Sequence, residues 1–178
     1  MEAPDEELML AYRDGDAGAF DALYRRHRGA LFRYVLRGVK ERAVAEELYQ
    51  EIWIRVIEAR ERYAPKARFT TWLYTIAHNR MVDHWRERGL TLVNLDDAPE
   101  VGDASRDPAR GAEARESLRA LAAALNALPP LQREAFLLHE EAGLSVAEIA
   151  TATGSNEEAA KSRLRYAMTR LKAAVEHG

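Results

Sequence analysis

From Gly89 to Glu113 large apolar residues become sparse, and Asp96, Asp97, Pro99, Gly102, Asp103, Ser105, Asp107, Pro108 and Gly111 crowd together instead. A run of this kind cannot supply the apolar face that a packed helix or strand must bury, so the elements on either side belong to separate structural units. The sequence therefore predicts an all-α protein with two helical domains, residues 1–88 and 114–178, joined by an acidic linker at residues 89–113. Leu90, Leu92, Val93 and Leu95 are the exceptions, and through them part of the linker could dock.

Helical structure before the linker follows from spacing. Phe20, Leu23, Tyr24, His27, Leu31, Tyr34 and Val35, and then Leu48, Ile52, Trp53 and Val56, recur at three- and four-residue intervals, which places each set on one helix face. Pro65 interrupts the pattern. Thr70 or Thr71 is the expected cap of a further helix that buries Trp72, Leu73, Ile76 and Ala77. On this helix Asn79, Arg80, Asp83 and Arg86 recur away from the apolar side.

After the linker, Leu118, Leu121, Leu125 and Leu128 form one stripe, Pro129-Pro130 ends it, and Leu131–Ala142 makes the next helix, closed at Gly143. Two capping boxes then follow in succession, Ser145 with Glu148 and Ser155 with Glu158, with Gly154 between them. Two helix starts around a glycine turn predict a helix-turn-helix, whose second helix enters the major groove of DNA. That helix carries Lys161, Arg163, Arg165, Arg170 and Lys172 in a stretch free of acids. With Leu164, Ala167, Met168 and Leu171 as its buried stripe, Lys161, Ser162, Arg165 and Tyr166 point outward near its start. Lysine and arginine there suit phosphates or guanine edges, and hydroxyls suit either.

The charge distribution narrows the function classes. Net charge is −3, but residues 89–116 hold seven of the acids against three Lys/Arg, while residues 1–88 and 117–178 are close to balanced. No cysteine is present, which excludes disulfides, thiolate zinc sites and a cysteine redox switch. No apolar run approaches the ~18 residues of a membrane span, and the N-terminus is acidic where an export signal is basic, so a cytoplasmic protein without membrane insertion is expected. His78 and His84 lie six apart, roughly 120° around a helix, so they form no metal or acid-base pair. Neither a phosphate loop nor a nucleophile motif occurs, and the chain is expected to be no enzyme and to need no cofactor or metal.

Three blocks resemble the sigma-70 family of RNA polymerase sigma factors, in its extracytoplasmic-function group. Ala45-Glu46-Glu47-Leu48-Tyr49-Gln50-Glu51-Ile52-Trp53 resembles region 2.2. Phe69-Thr70-Thr71-Trp72-Leu73-Tyr74-Thr75-Ile76-Ala77-His78-Asn79-Arg80 resembles regions 2.3 and 2.4. Leu128-Pro129-Pro130-Leu131-Gln132-Arg133-Glu134-Ala135-Phe136, with the helix-turn-helix after it, resembles region 4. The resemblance implies docking on core RNA polymerase, at the beta-prime clamp and beta flap, with the clamp met by Glu46, Glu47, Gln50 and Glu51. It implies capture of the opened −10 element by Tyr63, Lys66, Arg68, Thr70, Asn79, Arg80, Asp83 and Arg86, where a base needs a pocket and the backbone a cation. Phe69 and Trp72 read as core rather than as stacking platforms. It implies reading of the −35 promoter DNA by Lys161, Ser162, Arg163, Arg165 and Tyr166, and an anti-sigma factor is a common partner in the resembled group. The linker either follows the RNA-exit channel or is a solvated tether.

The pattern is not followed throughout. Tyr166-Ala167-Met168 stands where many relatives have an Arg-Ala-Arg run, and Glu158-Ala159-Ala160 replaces a frequent Gly-Thr-Val, so no promoter sequence carries over. A stand-alone helix-turn-helix regulator that binds an operator without polymerase is the alternative reading of the residues.

Overall fold

A computed structural model describes residues 2–93 and 113–176, which form eight α-helices, a short 3-10 turn and no strand. The helices are α1 Asp5–Arg13, α2 Ala17–Val39, α3 Arg42–Ala59, α4 Phe69–Glu87, α5 Glu113–Ala127, α6 Pro130–Glu140, α7 Val146–Ala152 and α8 Glu157–Glu176, with the 3-10 turn at Arg60–Arg62. The greater part of the proposed linker, residues 94–112, lies outside those described.

In the first half, α2, α3 and α4 pack through Leu23, Leu31, Val35, Leu48, Ile52, Val56, Leu73, Ala77, Met81 and Trp85, all buried. The α2 start is fixed by Asp16, whose carboxylate accepts from the amides of Gly18 and Ala19 at 3.0 and 3.3 Å. Gly38 lets α2 and α4 approach, since a Cβ there would sit 2.5 Å from the Met81 Cε. The α4 start departs from expectation. Its cap position is Arg68, Thr70 and Thr71 lie buried in its first turn, and the Phe69 amide donates instead to the Glu6 carboxylate of α1 at 3.1 Å. The first-turn amides of a helix need an acceptor from somewhere, and here one comes from a distant element.

In the second half Pro130 begins α6, a position where its missing amide costs nothing. Gly143 and Gly154 take the left-handed values φ 68° and 63° that the two turns require. The capping box at Ser145 and Glu148 is present in both directions, at 3.2 and 3.1 Å. At the start of α8 the cap lies one residue later than expected, where the Asn156 side-chain oxygen accepts from the Ala159 amide at 2.7 Å.

The two halves are not separate bodies in this structure. α6 lies on α2 and α7 lies on α4, and one buried cluster runs from Leu31, Leu73 and Ala77 to Ala135, Leu138 and Ile149. The seam between them holds polar groups as well. Tyr34 donates from its hydroxyl to Glu134 at 2.6 Å, and His78 Nδ1 lies 2.8 Å from both oxygens of the same carboxylate. Arg133 donates to the Gly38 carbonyl at 2.9 Å. At the rim Arg33 and Arg37 pair with Glu141, and the Lys40 ammonium donates to the Asn126 carbonyl at 2.6 Å. The linker's first residues join in, with Leu92 packed on the cluster and the Val93 carbonyl accepting from Gln132 at 3.3 Å.

Candidate polymerase and promoter interface

The acidic face of α3 survives folding as a surface. Leu48, Ile52 and Val56 turn to the core, so Glu46, Glu47 and Gln50, on the opposite side, stay exposed. Glu46 is engaged only locally, by Arg42 one turn before it at 3.2 Å. Ile54, half exposed, places an apolar side chain beside these acids. Glu51 differs from the other three, being partly buried and paired with Arg80 of α4, while Arg55 meets Asp83 at 3.5 Å just below. The sequence places Glu51 on the docking face and Arg80 and Asp83 on the DNA face, yet the α3–α4 packing turns them toward each other.

The loop before α4 and the α4 surface divide similarly. Lys66, Arg68, Asn79 and Arg86 are exposed. Tyr63 and Thr70 are not, which corrects their expected place on the surface. Tyr63 is 2 % exposed and meets Trp72 and Phe69 edge-on, with ring centroids 5.0 and 6.3 Å away. Its burial, with Glu6 and Asp5 nearby, pushes the phenol up to about 12. Phe69 is fully buried, in keeping with its reading as core. Beside Thr70 and Arg68 an open cleft of about 470 Å³ is also lined by Glu2–Glu6 and Arg26. Arg26 is neutralised there by Asp5 at 3.0 Å and Glu2 at 3.6 Å, and Arg68 is paired with Glu148 at 3.3 Å, so both arginines of the cleft already have a carboxylate partner.

On α8 the outward set is Lys161 and Arg165, exposed, with Ser162 half-buried between them. Arg163 and Tyr166 are 8 % and 7 % exposed, so neither stands on the groove-facing side where the sequence places it. α8 packs against both α5 and α6, and a helix held on two sides buries a wider arc than a single stripe. Its buried line runs Ala160, Arg163, Ala167 and Leu171, with Tyr166 added by packing on α5, and Met168, expected inside, is exposed. Burial lowers the Arg163 guanidinium and the nearby Glu134 charge counters it, the arrangement of a structural cation. Tyr166 carries the Arg170 guanidinium over its ring at 5.4 Å.

Residues whose long-range partners have no local sequence signal stand at the seam. Glu148, the acid of the first capping box, also accepts from Thr71 at 3.1 Å and Arg68 at 3.3 Å. Burial pushes its carboxyl up, but the Ser145, Thr71 and Arg68 interactions together hold it below the usual value. Glu134, Tyr34 and His78 form the buried counterpart. Glu134 lies 100 and 56 residues from those partners, so no local spacing marks it as an acceptor for both.

Comparison with known proteins settles what these surfaces belong to. Residues 23–91 match the family described as Sigma-70 region 2, and residues 118–171 match Sigma-70, region 4. The chain is 34% identical over 173 residues to the RNA polymerase sigma factor CarQ of Myxococcus xanthus, covering 92% of this chain and 93% of that one. It is 33% identical to the ECF RNA polymerase sigma factor BldN of Streptomyces coelicolor, covering 94% of this chain and 64% of the longer relative. Among solved structures it is similar to CnrH, seen in complex with the cytosolic domain of CnrY, with a TM-score of 0.71, 24% identity and 97% of each chain covered. It is also similar to RpoE of Bartonella quintana, with a TM-score of 0.67, 22% identity and coverage of 88% of this chain and 96% of that one. Matches to both conserved regions in order, with identity carried across nearly the whole length, place this chain in the sigma-70 family of RNA polymerase sigma factors, in its extracytoplasmic-function group.

Proposed function

We propose that the three surfaces divide the work of transcription initiation. The acidic α3 face, Glu46, Glu47 and Gln50 with Ile54 beside them, docks on a basic surface of core RNA polymerase, where charge complementarity steers and registers the encounter. Lys66, Arg68, Asn79 and Arg86 track the opened −10 strand, and the cleft at Thr70 takes a base. Lys161 and Arg165, with Ser162, meet the −35 duplex in the major groove. Arg80, Asp83 and Glu51 brace α3 against α4, Tyr63 and Thr70 shape the loop, and Arg163 and Tyr166 hold α8 in place.

The observation that carries this reading is the orientation of α8. Lys161 and Arg165 face solvent at the start of the second helix of a helix-turn-helix, while the intervening Arg163 is turned into the protein. The partners in this reading are core polymerase, promoter DNA and an anti-sigma factor. Catalysis belongs to the polymerase, and the chain contributes none.

The experiment is reconstitution of the chain with core polymerase on genomic DNA, followed by sequencing of transcript starts. Starts clustered behind a shared pair of upstream elements support the reading, and starts no different from those of core polymerase alone refute it. In the same assay Glu46→Lys with Glu47→Lys is expected to weaken core binding about tenfold or more, while thermal stability stays within about 0.5 kcal/mol of the parent.

A further inference from the structure

We infer that α1 is a splint for the loop between Tyr63 and Phe69, and that Glu6 and Arg13 are positioning residues for capture of the opened strand. Ala64, Pro65, Lys66, Ala67 and Arg68 are all exposed, between the buried Tyr63 and Phe69. Inside the loop the Lys66 amide donates to the Ala64 carbonyl at 2.8 Å, and Arg68 reaches out to Glu148 at 3.3 Å. A segment so short and so exposed takes its path from where its two ends are fixed.

Both ends are tied to α1. The Glu6 carboxylate accepts from the Phe69 amide at 3.1 Å, and the Arg13 guanidinium donates to the Tyr63 carbonyl at 3.3 Å. About two turns separate Glu6 from Arg13, so the two side chains leave one face of the helix. α1 is itself fastened to α2. Met9 is fully buried, Asp5 meets Arg26 at 3.0 Å and His27 at 2.9 Å, and Arg26 also donates to the Ala3 carbonyl at 2.6 Å. A docked helix thus sets the spacing and direction of the two points between which Lys66 and Arg68 project.

That geometry bears on one step of initiation. A cation for the strand's backbone and a pocket for its base act together only when their spacing is held, and a misplacement of about 1 Å in such an arrangement costs up to about a hundredfold in rate. Glu46, Glu47 and Gln50 lie on α3, and Lys161 and Arg165 on α8, so polymerase docking and duplex reading do not take their shape from the Glu6 and Arg13 bonds.

The test uses holoenzyme reconstituted with the full chain and reads three quantities: core binding, closed-complex affinity for promoter duplex, and the rate of strand opening by permanganate reactivity of unpaired thymines. Glu6→Ala is expected to slow opening at least about fivefold and to leave the other two within about twofold of the parent. Glu6→Gln keeps an acceptor oxygen at the same reach, so opening is expected to return to within about twofold of the parent. Arg13→Ala, at the other end of the loop, is expected to slow opening too, and it carries the test should Glu6→Ala lose helicity. Equal losses in all three quantities would be general loosening and would overturn the inference. A Glu6→Gln variant as slow as Glu6→Ala would also overturn it, because charge rather than the cap would then be the cause.

This inference rests on the proposed role of the loop, and Lys66→Ala separates the two failures. If Lys66→Ala slows opening and Glu6→Ala does not, the loop's role stands and the splint is wrong. If Lys66→Ala leaves opening unchanged, the loop's role fails and the inference with it. Where both slow opening, the double variant is expected to be no more than about twofold slower than the slower single one, because both act through one loop. Fully additive losses would mean that Glu6 acts elsewhere.

Discussion

The two helices proposed to meet promoter DNA treat their cations in opposite ways. On α8, Lys161 and Arg165 extend into solvent, and the charge that stays inside, Arg163, sits near the buried Glu134. On α4 and the loop before it, Arg80 is tied to Glu51 and Arg68 to Glu148, leaving Lys66 and Arg86, among the described residues proposed to meet DNA there, as the cations without such an ion pair. A duplex presents its phosphates continuously, so a helix that reads it gains from charges held ready. An opened strand exists only after polymerase has acted, and a surface for it can be kept engaged until then. Under the proposed assignment, the difference in pairing matches the order in which the two kinds of DNA become available.

The largest effect that could break this comparison lies at Glu134. Replacing it by alanine leaves His78 and the Tyr34 hydroxyl without their buried acceptor and takes away the negative charge near Arg163, and removing one member of a buried charged set costs about 3–5 kcal/mol. Denaturant melting should show that loss, and a change below about 1 kcal/mol would mean that the seam does not bear on stability. Next in size is the double change Lys161→Ala, Arg165→Ala. Binding of holoenzyme to the −35 duplex should fall by tens of fold and its salt slope should shrink by about two, one for each phosphate no longer neutralised, while stability moves by less than about 0.5 kcal/mol. An unchanged salt slope would take these cations away from the backbone.

Arg68→Ala sharpens the comparison from the other side. Its pair with Glu148 has the arginine more than half exposed, so its loss should cost no more than about 1 kcal/mol, discounted for solvent screening. Strand opening, followed by permanganate reactivity of unpaired thymines, should suffer more than stability does. The smallest effect is the pH response of Glu148. Because its folded carboxyl lies below the ordinary value, its contribution is fully present above that ordinary value and is lost as pH falls through the lowered one. Melting the parent and Glu148→Gln from about pH 6 to about pH 3 should show their difference narrowing toward acid. A difference that widens would reverse the sign and remove Glu148 from the seam.

Much of the fold is legible in the sequence because its signals are local. The apolar spacing of Leu23, Leu31 and Val35, the proline at the start of α6, the box at Ser145 and Glu148, and the glycine turns at 143 and 154 each act within a turn or two of chain. What the sequence misplaces depends on packing between distant elements. Arg163 and Tyr166 read as outward-facing on a helix with a single buried stripe, but α5 and α6 clasp that helix from two sides. Thr70 has the chemistry of a cap, yet α1 delivers Glu6 to that position instead. The acidic stretch after Gly89, most of which lies outside the described residues, carries no sign that the buried cluster continues through space from α2 and α4 into α6 and α7.

The Glu6 cap has a consequence in time. The carboxylate that orders the first turn of α4 comes from the opening helix of the chain, 63 residues upstream. During synthesis that acid leaves the ribosome well before the amide it will meet, so α1 must wait, held through Asp5 to Arg26 and His27, until α4 arrives. The geometry of the loop at Lys66 and Arg68 is therefore completed late, by closure of a long chain loop rather than by its own residues. Trimming the first six residues should leave the helices of the first half able to form, yet delay or loosen the loop's final order. The cap of α4 thus depends on a side chain made long before the helix that it caps.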